Sequence, residues 1–212
     1  MRSSVTDDLA RTVAAQGIRD ARVLAAIRRV PRELFVPSAV RDRAYEDRPL
    51  PIPHGQVTTQ PSLVARMLEG LGLASGQRVL EIGTGYGWQT ALLARLAGFV
   101  WSIERFPDLA ETARRNLAAH GVANVDVRVG DGSRGLPDVA PFDAILLSAA
   151  HPEVPPPLRE QLRAGGRLVQ PIGPGGNEDV VLFAKRGGAL GRRRVLTGAH
   201  FVRLHGRHGF PA

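Results

Sequence analysis

The chain has no cysteine, which excludes disulfides, thiolate metal sites and a cysteine nucleophile together. Lysine is almost missing as well: Lys185 is alone among the 28 basic residues, the rest being arginine. No apolar run approaches a membrane span, and Met1-Arg2-Ser3-Ser4 leads into Asp7 and Asp8 rather than an apolar signal core. A cytoplasmic protein with no membrane partner is therefore expected. Acids are missing from one region only. Residues 186–212 carry six arginines and no acid, whereas residues 55–185 carry 12 basic against 13 acidic residues, so most of the net charge of +8 sits in the tail. Such a tail can attract nucleic acid or an acidic peptide, or simply be a solvated surface. Aromatic residues make up only 5%; with so few stacking surfaces, no nucleic-acid partner is expected. What is present is ordinary: 212 residues, 43% hydrophobic and 23% charged, enough for one sizeable core and an appendage.

The most informative stretch is Arg78 to Gln89. Val79, Leu80 and Ile82 read as a buried strand, followed by a glycine-rich turn and the start of a helix. Alternate glycines let the backbone take positive φ and approach a ligand closely. The amides of the next helix add donors and a positive dipole end. A dinucleotide fingerprint would place its third glycine at position 88, which is Trp88. The order is instead Glu81-x-Gly83-x-Gly85-x-Gly87, and a second strand, Phe99 to Ile103, ends in Glu104. An acid there suits two ribose hydroxyls. This pattern resembles the cofactor loop of S-adenosylmethionine-dependent methyltransferases.

Around this stretch the chain alternates between periods. Residues 5–29 read as helical, with Leu9 and Val13 on one face and Asp20 capping a second segment that turns Val23, Leu24 and Ile27 inward. Tyr45 to Pro61 holds four prolines and little periodicity, which predicts a long ordered loop of functional use. Helices are predicted from Pro61 (Val64, Met67, Leu68 and Leu71 inward), over Trp88 to Ala97, from Pro107 to Gly121, and around Leu158 to Leu162. Further strands are predicted at Val125 to Val129, Phe142 to Leu147, Arg167 to Ile172, Val180 to Ala184 and Val195 to Leu204. The alternation predicts an α/β fold, an open, doubly wound, mostly parallel sheet, and the resemblance of the cofactor loop implies the Rossmann-like class I methyltransferase type. A helical N-terminal cap precedes it, and an antiparallel hairpin closes it because no helix separates the last two strands. Residues 1–54 are read as the cap and a substrate loop of the same domain, and residues 55–212 as the cofactor-binding core.

An amine acceptor is often held by an Asn/Asp-Pro-Pro-Tyr/Phe motif after the fourth strand. Here that position reads Leu147-Ser148-Ala149-Ala150-His151-Pro152. A carboxylate acceptor is ionised at neutral pH and needs no general base. The likeness then becomes specific. Ala44 to Ile52, Gly55-Gln56-Val57-Thr58-Thr59-Gln60-Pro61, the glycine loop, Ser102-Ile103-Glu104-Arg105 and Gly130-Asp131-Gly132 occur in order. Pro141-Phe142-Asp143, Gln161 to Leu168 and Phe201-Val202-Arg203-Leu204 complete the series. From about Val30 onward the chain resembles the protein-L-isoaspartate O-methyltransferases.

The resemblance implies S-adenosylmethionine as cofactor and an isoaspartyl- or aspartyl-containing peptide or protein as partner. It also implies methylation of the abnormal α-carboxylate of L-isoaspartyl residues, giving an ester that collapses to a succinimide and so repairs damaged protein. The family's active-site serine matches Thr59, which keeps the hydroxyl and adds a methyl; Thr59 could instead cap the helix at Pro61. The resemblance places Gln56, Thr58, Glu81, Gly83, Gly85 and Gly87 at the cofactor. Glu104 matches the ribose-binding acid, and Asp131 and Gly132 match the pair that lies against the adenine. No metal is implied. Ser148, His151 and Arg203 depart from the family's usual residues, as does Thr59. The alternative implied by these departures is a dedicated enzyme modifying an aspartyl residue of an acidic biosynthetic peptide.

Overall fold

The computed structural model describes residues 5–211; Met1 to Ser4, where the expected cytoplasmic N-terminus begins, lie outside the described residues. Helices α1 (Val5–Ala15) and α2 (Ala21–Arg29) form the cap. Asp20 caps α2, its carboxylate accepting from the Arg22 amide at 2.8 Å. Leu9, Val13, Val23 and Ile27 are fully buried, while Leu24 is only partly so. Two 3-10 turns, Arg32–Phe35 and Ser38–Arg43, lead outward from the cap.

The expected long loop is in part a small hairpin. Strands β1 (Leu50–Ile52) and β2 (Gln56–Thr58) pair antiparallel, with Leu50 opposite Thr58. Three-residue strands interrupted by Pro51 are too short to show alternation in a sequence. The turn itself is chemically marked: His54 and Gly55 both take positive φ, 62° and 66°, as a turn matched to the twist of a tight hairpin requires.

Helix α3 (Pro61–Leu71) then leads into the main sheet: β3 (Arg78–Ile82), α4 (Trp88–Leu96), β4 (Phe99–Glu104), α5 (Pro107–Ala119), β5 (Val125–Val129), β6 (Phe142–Leu147), α6 (Pro156–Gln161) and β7 (Leu162–Ile172). Strands β8 (Glu178–Arg186) and β9 (Ala189–Ala199) follow as an antiparallel hairpin. The seven strands lie in the order β5-β4-β3-β6-β7-β8-β9, parallel from β5 through β7 and antiparallel beyond. Two apolar layers sandwich the sheet unevenly. Side chains of α1 to α5 meet Val79, Val100, Val127 and Leu146 on one face. On the other, α6, short turns and the C-terminal segment at Val202 and Leu204 cover Leu80, Ile103, Ile145 and Leu168.

The last three strands begin earlier than the sequence pattern: β7 at Leu162 rather than Arg167, β8 at Glu178 rather than Val180, and β9 at Ala189 rather than Val195. Leu162 begins β7 rather than ending α6. The last strand is not 195–204: β9 stops at Ala199, and the chain then runs along the loop after β6. There the Ala150 amide donates to Val202 O at 2.7 Å and the Leu204 amide to Ala150 O at 2.8 Å. Apolar alternation reports which face is buried but not which neighbour supplies the pairing. This crossing brings the C-terminal segment to the carboxyl ends of the parallel strands, at the point between β3 and β6 where strand order reverses. Ligands bind at such points in open α/β sheets.

Candidate functional site

Above the carboxyl ends of β3, β4 and β6 lies a cavity of about 910 Å³, within the range of small-molecule sites. Its floor is the glycine loop. Gly83, Gly85 and Gly87 all take positive φ (96°, 56° and 92°), which L side chains rarely adopt. A Cβ on Gly83 would also press against Ser148 at 3.3 Å, because the loops after β3 and β6 touch here. Gly132 lies at the same floor; a Cβ on it would fall 2.3 Å from Ile82.

Glu104 is the only acid among the described residues lining the cavity. It is 5% exposed, and its two oxygens accept from the Gly85 amide at 2.8 Å and the Phe106 amide at 3.1 Å. Each oxygen keeps a second lone pair for a ligand. Glu81 has a different place. Pleating turns it to the same face as Val79, where it is fully buried beneath α4 and does not line the cavity. It accepts from Gln89 Nε2 at 2.9 Å and from the Thr90 and Ser102 hydroxyls at 2.6 Å each. Burial outweighs these donors, and its carboxyl is raised to about 7.

That shift has a measurable sign. The unfolded carboxyl ionises near its ordinary value of 4.5, so the folded state holds the extra proton between that pH and about 7. The stabilising contribution is fully present below 4.5 and is lost as pH rises through about 7, on the order of 3 kcal/mol in all. Relative to Glu81→Gln, which cannot titrate, the wild-type unfolding free energy should decline between pH 4.5 and 8 in chemical denaturation. A difference that stays flat across this range would show Glu81 ionised in the fold.

The opposite wall is the segment from β2 to α3. Gln56, Thr58 and Thr59 all line the cavity. The Thr59 hydroxyl makes no hydrogen bond to protein among the described residues, and it does not cap α3. Asp47 does that work: its Oδ1 accepts from the Ser62 amide at 2.8 Å and its Oδ2 from Gln60 Nε2 at 3.1 Å. The capping alternative for Thr59 is thereby corrected. Asp131 does not line the cavity, although Gly132 does. Its carboxylate accepts from the Ser133 amide and hydroxyl, at 2.9 and 2.6 Å, and from the Arg207 amide at 2.8 Å. Burial raises its pKa, but the Arg207 and Ser133 hydrogen bonds together outweigh this, leaving the group below the ordinary carboxylate value.

Of the departing residues, Ser148 and Arg203 line the cavity and His151 does not. His151 Nδ1 lies 2.9 Å from Glu153 O, and its ring meets Phe210 edge-on. Ser148 Oγ accepts from Gln89 Nε2 at 2.9 Å, and Arg203 Nε donates to Pro174 O at 2.9 Å.

Several site-forming residues had no motif to mark them. Gln89 Oε1 is buried without a partner at the cavity wall. His54, at the hairpin tip, stacks on Phe106 with ring centroids 4.2 Å apart, and its Nε2 reaches the Asp108 carboxylate at 2.8 Å. The β1–β2 hairpin is thus clasped to the start of α5 across the cavity. Arg32, from the first 3-10 turn, is wholly buried beneath the hairpin's base.

A parallel sheet with three alternating glycines after β3 and a buried acid ending β4, both at one cavity, defines an S-adenosylmethionine-dependent methyltransferase of the Rossmann-like class. The family model for protein-L-isoaspartate(D-aspartate) O-methyltransferase matches residues 4–209. The protein-L-isoaspartate O-methyltransferase of Methanoculleus marisnigri is 54% identical over 198 residues, covering 93% of this chain and 90% of its own. That of Anaeromyxobacter dehalogenans is 55% identical over 180 residues, covering 84% and 86%. A solved protein-L-isoaspartate O-methyltransferase superposes with a TM-score of 0.85 at 31% identity, covering 96% of this chain and 67% of its own. A Plasmodium falciparum structure described as a putative member in complex with S-adenosyl-L-homocysteine shares the fold, with a TM-score of 0.81 at 21% identity. This chain belongs to the protein-L-isoaspartate O-methyltransferase family, whose members are S-adenosylmethionine-dependent enzymes acting on isoaspartyl-containing proteins. No described helix is long and apolar enough to cross a membrane.

Proposed function

We propose that this chain methylates the α-carboxylate of L-isoaspartyl residues in damaged proteins, using S-adenosylmethionine, and that the resulting ester collapses to a succinimide. The observation that carries this reading is the single cavity that joins Glu104 and the glycine loop on one side to the Thr59 hydroxyl on the other. The cofactor, when bound, supplies an electrophilic methyl group on a sulfonium. Three features fit it. Glu104 offers free lone pairs to the two ribose hydroxyls, Gln89 Oε1 is an unpartnered buried acceptor suited to the amino group, and the positive-φ glycines admit close backbone approach. Gln56 and Thr58 form the far side of this binding region, and Gly132 its floor. Glu81 serves indirectly, orienting Gln89 and fixing the loop from below.

The acceptor carboxylate arrives ionised, so transfer requires orientation and exclusion of water more than proton removal. Thr59 donates its hydroxyl to one carboxylate oxygen, leaving the other to attack, and the clasped hairpin keeps water out. The test is incubation with tritiated S-adenosylmethionine and three acceptors: an isoaspartyl peptide, the matching aspartyl peptide and bulk RNA. Base-labile label on the isoaspartyl peptide alone is the expected result. Label on RNA, or on neither peptide, would overturn the reading.

A further inference from the structure

Among the described residues Arg32 is the largest fully buried side chain, and it stands in no ion pair there. Its surroundings are neutral acceptors. Nη1 donates to Ala44 O and Glu46 O at 3.2 and 3.1 Å. Nη2 donates to Arg48 O at 3.0 Å, to Thr58 Oγ1 at 2.8 Å and to Thr59 O at 3.1 Å. Trp88, the first residue of α4, presents its ring face 5.3 Å away. Nε is left without a partner. Burial depresses the guanidinium to about 10, against a smaller opposing pull from Asp47, so it stays charged at neutral pH.

A buried cation with no carboxylate in contact is costly to a fold, and a hydrophobic residue could fill the volume. What the guanidinium does here that an apolar side chain cannot is join two strands of chain. Residues 44–48 enter the β1–β2 hairpin and residues 58–59 leave it, so one planar fork ties both ends of that arm together. The second end is Thr59 itself, held by its carbonyl, while its hydroxyl remains unbound on the cavity side. Fixing the Thr59 backbone fixes where that hydroxyl points.

We propose that Arg32 is a positioning residue for acceptor chemistry: it gathers the base of the hairpin onto one guanidinium and so sets the Thr59 hydroxyl over the cofactor cavity. This rests on the methyltransferase reading above. Arg32 does not line the cavity, and it acts only through the segment it holds. A lysine keeps the charge but presents a point donor in place of a rigid fork.

The test is a double-mutant cycle on the full chain with an isoaspartyl peptide, using Arg32→Lys, Thr59→Val and the pair. Arg32→Lys should lower the single-turnover rate roughly ten- to a hundredfold, with cofactor affinity by calorimetry within about twofold of wild type. In the Thr59→Val background the same change should lower the rate less than about threefold, because the group being positioned is already gone. Arg32→Ala should regain part of its activity when guanidinium ion is added at millimolar concentration; should it fail to fold, the lysine cycle decides alone. Additive losses in the cycle, or a lysine variant at full rate, would reduce Arg32 to a structural residue. A wild-type protein that labels no isoaspartyl peptide would instead overturn the functional reading itself.

Discussion

Thr59→Val should lower single-turnover methyl transfer to an isoaspartyl peptide by roughly ten- to a hundredfold, the loss of one positioned hydrogen bond to a charged acceptor. Valine keeps nearly the same shape as threonine and removes only the hydroxyl. Had that hydroxyl capped α3, the variant would chiefly lose stability, by about 1 kcal/mol. The helix is capped by Asp47 through the Ser62 amide, so the melting temperature of Thr59→Val should stay near wild type. Cofactor affinity should stay near wild type as well. Thr59→Ser, which keeps the hydroxyl and removes one methyl, should retain activity. A Val variant with full turnover would remove Thr59 from the chemistry.

Glu104→Ala should weaken S-adenosylmethionine binding by roughly 1–3 kcal/mol, the cost of losing a charge-assisted acceptor. Two consequences add to the direct loss. The Gly85 and Phe106 amides lose their acceptor, so the glycine loop and the turn under Phe106 relax together. His54 stacks on Phe106, so the clasp across the cavity loosens too. Glu104→Gln separates these contributions: it keeps one carbonyl oxygen for the backbone amides and removes the charge. Calorimetry should rank wild type above Gln and Gln above Ala. Equal affinity across the three would take Glu104 out of the cofactor site.

The glycine loop could be read from the chain because its requirement is local. A strand that must turn sharply into a helix leaves few residue types at positive φ, and Gly83, Gly85 and Gly87 meet that need wherever the rest of the protein lies. The acid at the end of β4 was legible for a similar reason, since strand period and motif order fix its distance from the loop. Asp131 shows where such reading stops. The family resemblance marked it for the site, but its carboxylate is taken by Ser133 and by the Arg207 amide, a partner 76 residues away. Glu81 is similar: the motif names it, while pleating directs it beneath α4 and not into the cavity.

By itself the sequence determined the alternation of strands and helices, the glycine loop, the acid after β4 and the membership of Thr59 in a loop of unusual composition. These follow from backbone sterics, hydrophobic period and turn chemistry, which act over a few residues. Only the tertiary structure decided which of those residues share a cavity. It also decided that the tail after β9 crosses to the loop after β6, that Asp47 takes the cap left open by Thr59, and that Arg32 gathers the hairpin base. Each of these depends on a hydrogen-bond partner distant in sequence. Periodicity carries no record of such partners, because burial of a polar group is permitted by whatever acceptors the fold brings to it.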